Sequence, residues 1–264
     1  MGDAYYELID TSAEGEVFSS ADLTRGTWGD MQHGGPPSAL LVRALERCEP
    51  RADARLSRIV VELLGPVPVG PVRVVSKKER RGTRIEYLSA VMSSADDMRP
   101  VARAHAWRME RSDTVEIQRN FGEPLTPLEN VADRNDLSHF TDGYVGTLDW
   151  RWIVEPGSTP GAGESWIRSA VDLVQGEAPS PLERLFVVAD NANGVGAKAD
   201  IRKWTFLNTD LTVHVHRMPE GDWIGIRADA AYGPDGIGAT IGTLFDQHGP
   251  VAGIQQSVLL RRRS

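Results

Sequence analysis

A carboxylic acid followed by two amides stands out among the residues of this chain that could do chemistry. Asp190 follows an apolar run, and Asn191, Asn193 and Gly194 come directly after it. An unpaired charge beside buried side chains is costly, so an acid in this place must be capped, paired, solvated or used. We interpret Asp190 as a carboxylate presented to a substrate. The alternative is a solvated acid that closes its helix.

A second candidate lies at the start of an earlier helix. His33, Gly34 and Gly35 precede two prolines, which are tolerated in a first helical turn. Free N–H groups and the helix dipole at such an end favour an anion, and glycine lets a ligand approach the backbone closely. These residues can therefore bind a developing oxyanion or a phosphate. A glycine-rich turn before a proline-started helix explains them as well.

Two amide side chains are candidate partners for Asp190. Asn208 begins the strand predicted after the second helix, and Gln256 lies on the last predicted strand. Its neighbour Gln255 faces the opposite way, because consecutive strand residues alternate between the faces of a sheet. Asp190, Asn208 and Gln256 are thus the polar set expected around a bound substrate.

Composition excludes several classes of protein. The chain has 264 residues and a net charge of −8, which disfavours nucleic acid as a partner. Its single cysteine, Cys48, rules out an internal disulfide framework and fits a reducing compartment. The N-terminus does not read as a signal peptide, and no apolar run reaches the ~18 residues of a membrane helix. We therefore expect a cytoplasmic protein without a membrane span.

The sequence indicates neither a metal nor a cofactor. His214 and His216 share one face of a strand but lack an acidic or cysteine partner, so we predict no metal site. A nucleophile elbow, a Walker loop and a dinucleotide-binding glycine fingerprint are all missing from the sequence. A hydrolase of the serine type and a nucleotide-cofactor enzyme are therefore not expected.

Hydrophobic periodicity predicts the same order of elements twice. Helical periods indicate helices, and alternating or β-branched runs bounded by turn residues indicate strands. The predicted elements are strands within 4–20, a helix within 33–50, a strand meander over 57–110, a connection over 111–139, strands over 147–155 and 164–171, a helix over 181–193 and a second meander over 204–262.

Local similarity between the halves supports an internal duplication. Val101-Ala102 matches Val251-Ala252 with an offset of 251 − 101 = 150, and Leu56-Ser57 matches Leu207-Asn208 with an offset of 207 − 56 = 151. The alternative is two meanders with a common turn rhythm. The duplication predicts an α+β protein of two repeats, each a long helix wrapped by an antiparallel sheet, joined edge to edge. The predicted units are 1–110, a connection over 111–139, and 140–264.

The repeat makes the polar set asymmetric. Ser57 and Ala106 stand where the second half has Asn208 and Gln256. The first helix has apolar residues at the depth of Asp190, among them Val42. One half therefore keeps a carboxylate and two amides that the other half lacks, which is the pattern of duplication followed by specialisation.

Several stretches together resemble the acyl-CoA thioesterase II-like (TesB-like) family of double hot-dog proteins, in its actinobacterial form. The stretches are HGGPPSALLVRALE, VELLGPVPVGPV, VVADNANG, LNTDLTVHVHR and VAGIQQSV. The resemblance covers nearly the whole chain and implies a hydrolase that cleaves a fatty acyl-CoA to a free acid and coenzyme A. It also leads us to expect a homodimer or higher homo-oligomer.

The resemblance assigns roles to the candidate residues. The family's aspartate falls on Asp190, its glutamine on Gln256 and its hydroxyl residue on Asn208. Asn208 is a departure from the family pattern, because an amide cannot replace a hydroxyl group proton for proton. Together these residues would hold the attacking water. Thr209 follows closely, and with His33, Gly34 and Gly35 it forms the predicted substrate-binding set. In related single hot-dog enzymes an acid follows the His-Gly-Gly motif by nine residues, where this chain has Val42.

Two alternatives to hydrolysis stay open at the level of sequence. A non-catalytic acyl-CoA or lipid-binding protein would keep the pocket without the chemistry, and Asn208 favours that alternative. An enoyl-CoA hydratase or dehydratase on the same fold would need a histidine with an acid partner. His33 has no acid at the matching spacing, which makes this second alternative the weaker one.

Overall fold

The computed structural model describes residues 3–120, 122–132, 142–157 and 161–263. In the described part of the first half the predicted strands and helix are confirmed. In chain order the elements are β1 (Ala4–Ser12), β2 (Gly15–Ser20), α1 (Gly35–Arg47), β3 (Ala54–Leu63), β4 (Pro71–Arg80), β5 (Ile85–Ser94) and β6 (Pro100–Glu110).

The described part of the second half contains more elements than predicted. They are α2 (Gly143–Gly146), β7 (Leu148–Val154), β8 (Gly163–Ser169), β9 (Asp172–Val174), α3 (Pro181–Ala189), α4 (Ala192–Val195), β10 (Trp204–Asn208), β11 (Asp210–Val215), β12 (Ile224–Tyr232), β13 (Ile237–Asp246) and β14 (Gly249–Arg262). The short strand β9 and the division of the second helix into α3 and α4 were not predicted.

All the described strands belong to one 14-stranded sheet. From the central pair β11 and β3 outward, five strands follow in the same order on each side, and β9 extends the edge beyond β1. The order is β7-β8-β12-β13-β14-β11-β3-β6-β5-β4-β2-β1-β9, with β10 paired to β14. Strands β11 and β3 join the halves antiparallel, with Leu211 opposite Val61 and Val213 opposite Ile59. The predicted edge-to-edge junction is therefore confirmed, and it covers two strand edges that would otherwise be open to wrong pairing.

Helix α1 is buried between the sheet and the second half. Its N-cap is Gly34, prolines stand at its first positions, and every residue from Gly35 to Leu45 is buried. It packs against α3 and against β3 to β6. Its buried charge, Arg43, pairs with Glu16 and Glu177 at 2.8 Å each. Because it is buried on nearly every side, α1 is the central helix predicted for the first half.

Helix α3 has a well-defined start and an early end. Ser180 and Glu183 form a capping box, which satisfies N–H groups at the helix N-terminus. The helix predicted over 181–193 ends at Ala189, and Asp190 is its C-cap. Asn191 Nδ2 donates to Val188 O at 2.8 Å and to the Tyr144 hydroxyl at 2.6 Å. These contacts accompany a short interruption, since Asp190 and Asn191 keep helical backbone angles and α4 begins at Ala192. The prediction of one long second helix is therefore confirmed in part.

The segment between the halves packs onto the second half. Leu125 is buried with Trp166 and Phe245, and the Trp166 indole donates to Thr126 O at 2.9 Å. The predicted end of the connection near residue 139 lies outside the described residues. Within the described ranges, no helix has both the length and the apolar character that crossing a membrane requires.

Candidate functional site

A cavity of about 690 Å³ lies where the two halves meet. The loop before α1, the end of α3 and the junction of β10 with β11 form its walls. His33, Gly34, Asp190, Asn208 and Thr209 all line it. Residues that are far apart in sequence therefore meet around one space, because the N-terminus of one helix faces the C-terminus of the other.

Asp190 lies at the inner wall of this cavity. Its side chain is 3% exposed, although it is the last residue associated with α3. A Cβ atom on Gly34 would lie 2.6 Å from Asp190 Oδ2. Glycine is thus required at residue 34 so that the carboxylate can approach the N-terminus of α1, where the helix dipole stabilises a negative charge.

The two predicted amides orient the carboxylate directly. Asn208 Nδ2 donates to Asp190 Oδ1 at 2.6 Å, and Gln256 Nε2 donates to the same oxygen at 3.3 Å. Gln256 Nε2 also lies 3.4 Å from Asp190 O, which caps the end of α3. The structure therefore brings together the three residues predicted from the repeat.

Gln256 has an acceptor that the protein leaves unused. Its Oε1 is buried and has no hydrogen-bond partner among the described residues. A buried carbonyl without a partner costs free energy, and a water that donates to it would satisfy it. The oxygen belongs to the same amide whose nitrogen contacts Asp190, so a water held there would lie close to the carboxylate.

His33 approaches the other oxygen of Asp190. Its Nδ1 lies 3.2 Å from Asp190 Oδ2 and also accepts from Gly35 N–H at 3.1 Å. A protonated Nδ1 donates to Asp190, whereas an unprotonated Nδ1 accepts from Gly35, so the two contacts define two proton positions. Burial lowers the pKa of His33, and the nearby Asp190 carboxylate opposes that shift. The ring stacks on Tyr144 with centroids 4.1 Å apart.

The remaining predicted binding residues have different positions. Gly34 and Thr209 line the cavity, whereas Gly35 is not part of its wall. A Cβ on Gly35 would meet Val187 O and the Tyr144 hydroxyl, so this glycine permits close helix packing. Of the two glycines considered as oxyanion donors, Gly34 is therefore the one next to the cavity.

Aromatic side chains that the sequence could not assign form much of the cavity wall. Trp150 and Trp152 stack with centroids 5.2 Å apart, and Trp28 lies edge-on to Phe206 at 5.3 Å. All four residues line the cavity. Apolar walls with few polar groups at one end are typical of pockets for small organic ligands.

An acid does stand near the end of the first helix, which the repeat did not indicate. Glu46 Oε2 accepts from the Ser180 hydroxyl at 2.5 Å, and Ser180 is the N-cap of α3. Glu46 thus lies beside the start of α3, as Asp190 lies beside the start of α1. It is not part of the wall of the 690 Å³ cavity.

The residues described do not supply an evident metal site. Within the described ranges, no group of three or more histidine, cysteine, aspartate or glutamate side chains could hold a metal ion. His214 is exposed on β11. The polar groups gathered around Asp190 are its own carboxylate, two amides and an imidazole.

Solved structures of low sequence identity share this architecture. A hot-dog protein of unknown function from Alicyclobacillus acidocaldarius has a TM-score of 0.76 at 16% identity, covering 96% of this chain and 96% of that chain. A putative thioesterase II from Thermobifida fusca has a TM-score of 0.74 at 16% identity, covering 97% and 95%. The tesB protein of Mycobacterium avium subs paratuberculosis has a TM-score of 0.68 at 16% identity, covering 96% of each. The fold is therefore a hot-dog fold.

Family models match most of the sequence. The N-terminal domain of acyl-CoA thioesterases matches residues 24–109, and the C-terminal domain matches residues 123–260. Comparison with curated proteins gives no significant match. The chain belongs to the acyl-CoA thioesterase family, and as a member of that family it is a thioester hydrolase.

Proposed function

We propose that this protein hydrolyses a fatty acyl-CoA to a free fatty acid and coenzyme A, using a water held by Asp190, Asn208 and Gln256. The observation that carries the proposal is the buried Asp190 carboxylate, whose Oδ1 accepts from both amides beside an apolar cavity. Because the amides fix one oxygen of the carboxylate, its orientation is set before substrate arrives. Such preorganisation is what a general base requires.

The proposed reaction begins with Asp190 removing a proton from the water. The unpaired Gln256 Oε1 accepts the second proton of that water in a hydrogen bond and so directs its oxygen at the thioester carbonyl. The carbonyl oxygen, negative in the tetrahedral intermediate, points at the N-terminus of α1, where Gly34 N–H is the closest candidate donor. Collapse of the intermediate breaks the C–S bond and expels the thiolate of coenzyme A, which takes up a proton.

The same proposal includes the organisation of the chain. Residues 1–110 and 140–264 are two hot-dog repeats, with 111–139 as their connection, and the mirrored strand order supports this division. A homodimer or higher oligomer fits the exposed Ile237 and Ile241 on the outer face of β13, which are 63% and 60% exposed. Composition favours a cytoplasmic enzyme, and the acyl-CoA thioesterase family implies a role in fatty acid metabolism.

The test is thiol release from acyl-CoA of increasing chain length. Asp190→Asn keeps the shape of the side chain and removes the base, so kcat should fall at least ~100-fold. Asp96→Asn, in the exposed turn between β5 and β6, is the matched control and should retain full activity. If Asp190→Asn and Asp96→Asn both hydrolyse acyl-CoA at the wild-type rate, the assignment of the base is wrong.

A second arm of the assay addresses the hydratase alternative. The structure gives His33 an acid partner from the other half, Asp190, so spacing along the chain is no longer an argument against that reaction. An enoyl-CoA substrate whose absorbance changes without thiol release would indicate hydration. Acyl-CoA that binds at saturating concentration without thiol release would instead indicate the non-catalytic binding protein.

A further inference from the structure

A second cleft, of about 490 Å³, opens beside the main cavity. It shares Thr27 and Trp28 with the main cavity, so the two spaces are neighbours on either side of one loop. Its complete lining is Thr27, Trp28, Gly29, Thr205, Arg262 and Arg263. Two guanidinium groups, two hydroxyl groups and an indole thus face one space, and none of the lining residues is acidic.

The charge of this cleft is not neutralised by the surrounding protein. Within the described part of the chain, neither Arg262 nor Arg263 has a carboxylate within ion-pair distance. Arg263 lies over the Trp28 ring at 5.8 Å and donates to Ile201 O at 3.3 Å, so its position is defined. The net charge of the whole protein is −8. The positive charge of Arg262 and Arg263 therefore contrasts with the overall negative charge.

Several other basic residues of the chain are compensated. Lys77 pairs with Glu79 at 3.1 Å, and Lys78 lies 2.9 Å from Glu86. Arg202, which lines the main cavity, pairs with Asp200 at 3.0 Å. The cleft differs from these surfaces because its two arginines keep their charge available for an anion.

The distance from the site fits the length of a carrier arm. Gln256 and Arg262 lie on the same strand, β14, six residues apart (262 − 256 = 6), and their side chains share one face. Six residues of strand span about 20 Å. A pantetheine arm of about a dozen bonds spans roughly 15 Å when extended. A thioester at Asp190 would therefore bring the phosphates at the far end of the arm to the region of Arg262.

We propose that this cleft binds the phosphate groups of the coenzyme A nucleotide. The inference rests on the proposed thioesterase function, because it takes the thioester to lie at Asp190. Arginine binds phosphate through paired N–H groups, and the hydroxyl groups of Thr27 and Thr205 add neutral donors. Trp28 offers a ring face next to the nucleotide.

Substrates that differ only in the carrier provide the test. The double variant Arg262→Gln, Arg263→Gln should raise KM for acyl-CoA about tenfold and leave kcat within about twofold, as expected for partly exposed charge-assisted contacts. KM for the same acyl group on pantetheine, which lacks the nucleotide, should not change. The wild-type KM for acyl-CoA should also rise with ionic strength, and the double variant should lose most of that dependence.

Three controls make the result decisive. Arg81→Gln with Arg84→Gln removes two charges from side chains that are 76% and 85% exposed in the first half, and should leave KM unchanged. An unchanged KM for acyl-CoA in the cleft variant, or an equal rise with acyl-pantetheine, would overturn the proposal. Acyl-dephospho-CoA and an acylated carrier protein distinguish the phosphate sources. A larger rise in KM of the double variant with the acylated carrier protein than with acyl-CoA would also overturn the proposal.

The cleft can be tested even if the proposed activity fails. If no thioester is hydrolysed, calorimetric titration with coenzyme A still compares the wild-type protein with the cleft variant. Binding that is weakened about tenfold by the two substitutions supports the cleft on its own. Equal binding by both proteins would exclude it.

Discussion

The central helices of the two halves end differently under the same sheet. Helix α1 runs unbroken for 13 residues, whereas α3 has 9 and is separated from the short helix α4 by Asp190 and Asn191. Asp190, Asn191, Asn193 and Gly194 of this interrupted stretch line the cavity, whereas no residue of α1 does so. The interrupted end of the second central helix is therefore the part that faces the cavity.

The sheet supplies a different side chain to each helix end. Arg108 Nη1 donates to Cys48 O, the C-cap of α1, at 2.9 Å, whereas Gln256 Nε2 reaches Asp190 O at the end of α3. Arg108 also donates to Glu86 at 2.7 Å, and both side chains are buried. The cap of α1 is the charged Arg108, which is neutralised by the buried Glu86. The cap of α3 is the neutral amide of Gln256, which leaves the Asp190 carboxylate without a cationic partner on that side.

The largest expected effect comes from breaking the charged cap of the first half. Arg108→Ala leaves the buried Glu86 with Lys78 at 2.9 Å and the more distant Arg51 at 3.7 Å, and should lower the free energy of unfolding by about 3–5 kcal/mol. Urea denaturation measures the change. Hydrolysis by the folded protein should be retained, since the cluster lies in the other half. A loss below about 1 kcal/mol would mean that the ion cluster does not support the helix end.

The next effect comes from making the second half resemble the first. Gln256→Ala introduces alanine, the residue that the first half has at the equivalent position, Ala106. The value of kcat/KM should fall roughly 30-fold, because the amide that contacts both the water and the Asp190 carboxylate is removed. Gln255→Ala is the matched control, since its side chain is exposed on the opposite face. Equal activity of the two variants would show that the amide of Gln256 has no part in the reaction.

The smallest effect concerns the acid at the end of the first helix. Burial raises the pKa of Glu46 to about 7 from its ordinary value of 4.5, against the hydrogen bond from Ser180. The folded state therefore keeps a proton that the unfolded chain has lost, and the free energy of unfolding decreases as pH rises through this window. Glu46→Gln should remove about 1 kcal/mol of that decrease between pH 4.5 and 7.5.

The control for this measurement is Glu7→Gln, whose side chain is exposed on β1. Stability of the wild-type protein, Glu46→Gln and Glu7→Gln would be compared at several pH values. The same slope in all three proteins would contradict the assignment. A slope missing only from Glu46→Gln would show that the first-half acid acts on stability.

Sequence patterns predicted what depends on local periodicity. The strands of both meanders and α1 follow from alternating or helical spacing, and the repeat led to Asp190, Asn208 and Gln256 as one set. The interruption at Asp190 was missed because Asn191 and Asn193 are compatible with a continuing helix, and helix α4 does follow it. The break depends on Tyr144, which is distant in sequence and reaches Asn191 only in the folded chain.

Contacts between the halves could not be read from either half alone. His33 meets Asp190 because α1 and α3 lie side by side with opposite ends together, and no spacing along the chain records that arrangement. The three-residue strand β9 is too short to show a period. The sequence did indicate that His33 lies at the start of one helix and Asp190 at the end of the other. To pair them, however, one would have needed to know how the two repeats pack against each other.

Strand pairing across the halves has a consequence for synthesis of the chain. Strand β1 pairs with β9, where Ala4 lies opposite Asp172 (172 − 4 = 168), and β3 pairs with β11, where Glu62 lies opposite Asp210 (210 − 62 = 148). The N-terminal half therefore leaves the ribosome with both of its outer strands lacking their partners. Both edges stay exposed until β9 emerges at Val174, and the edge of β3 stays exposed until β11 emerges at Val215, with synthesis at roughly 5–20 residues per second. That interval is when holding chaperones would matter most to this protein.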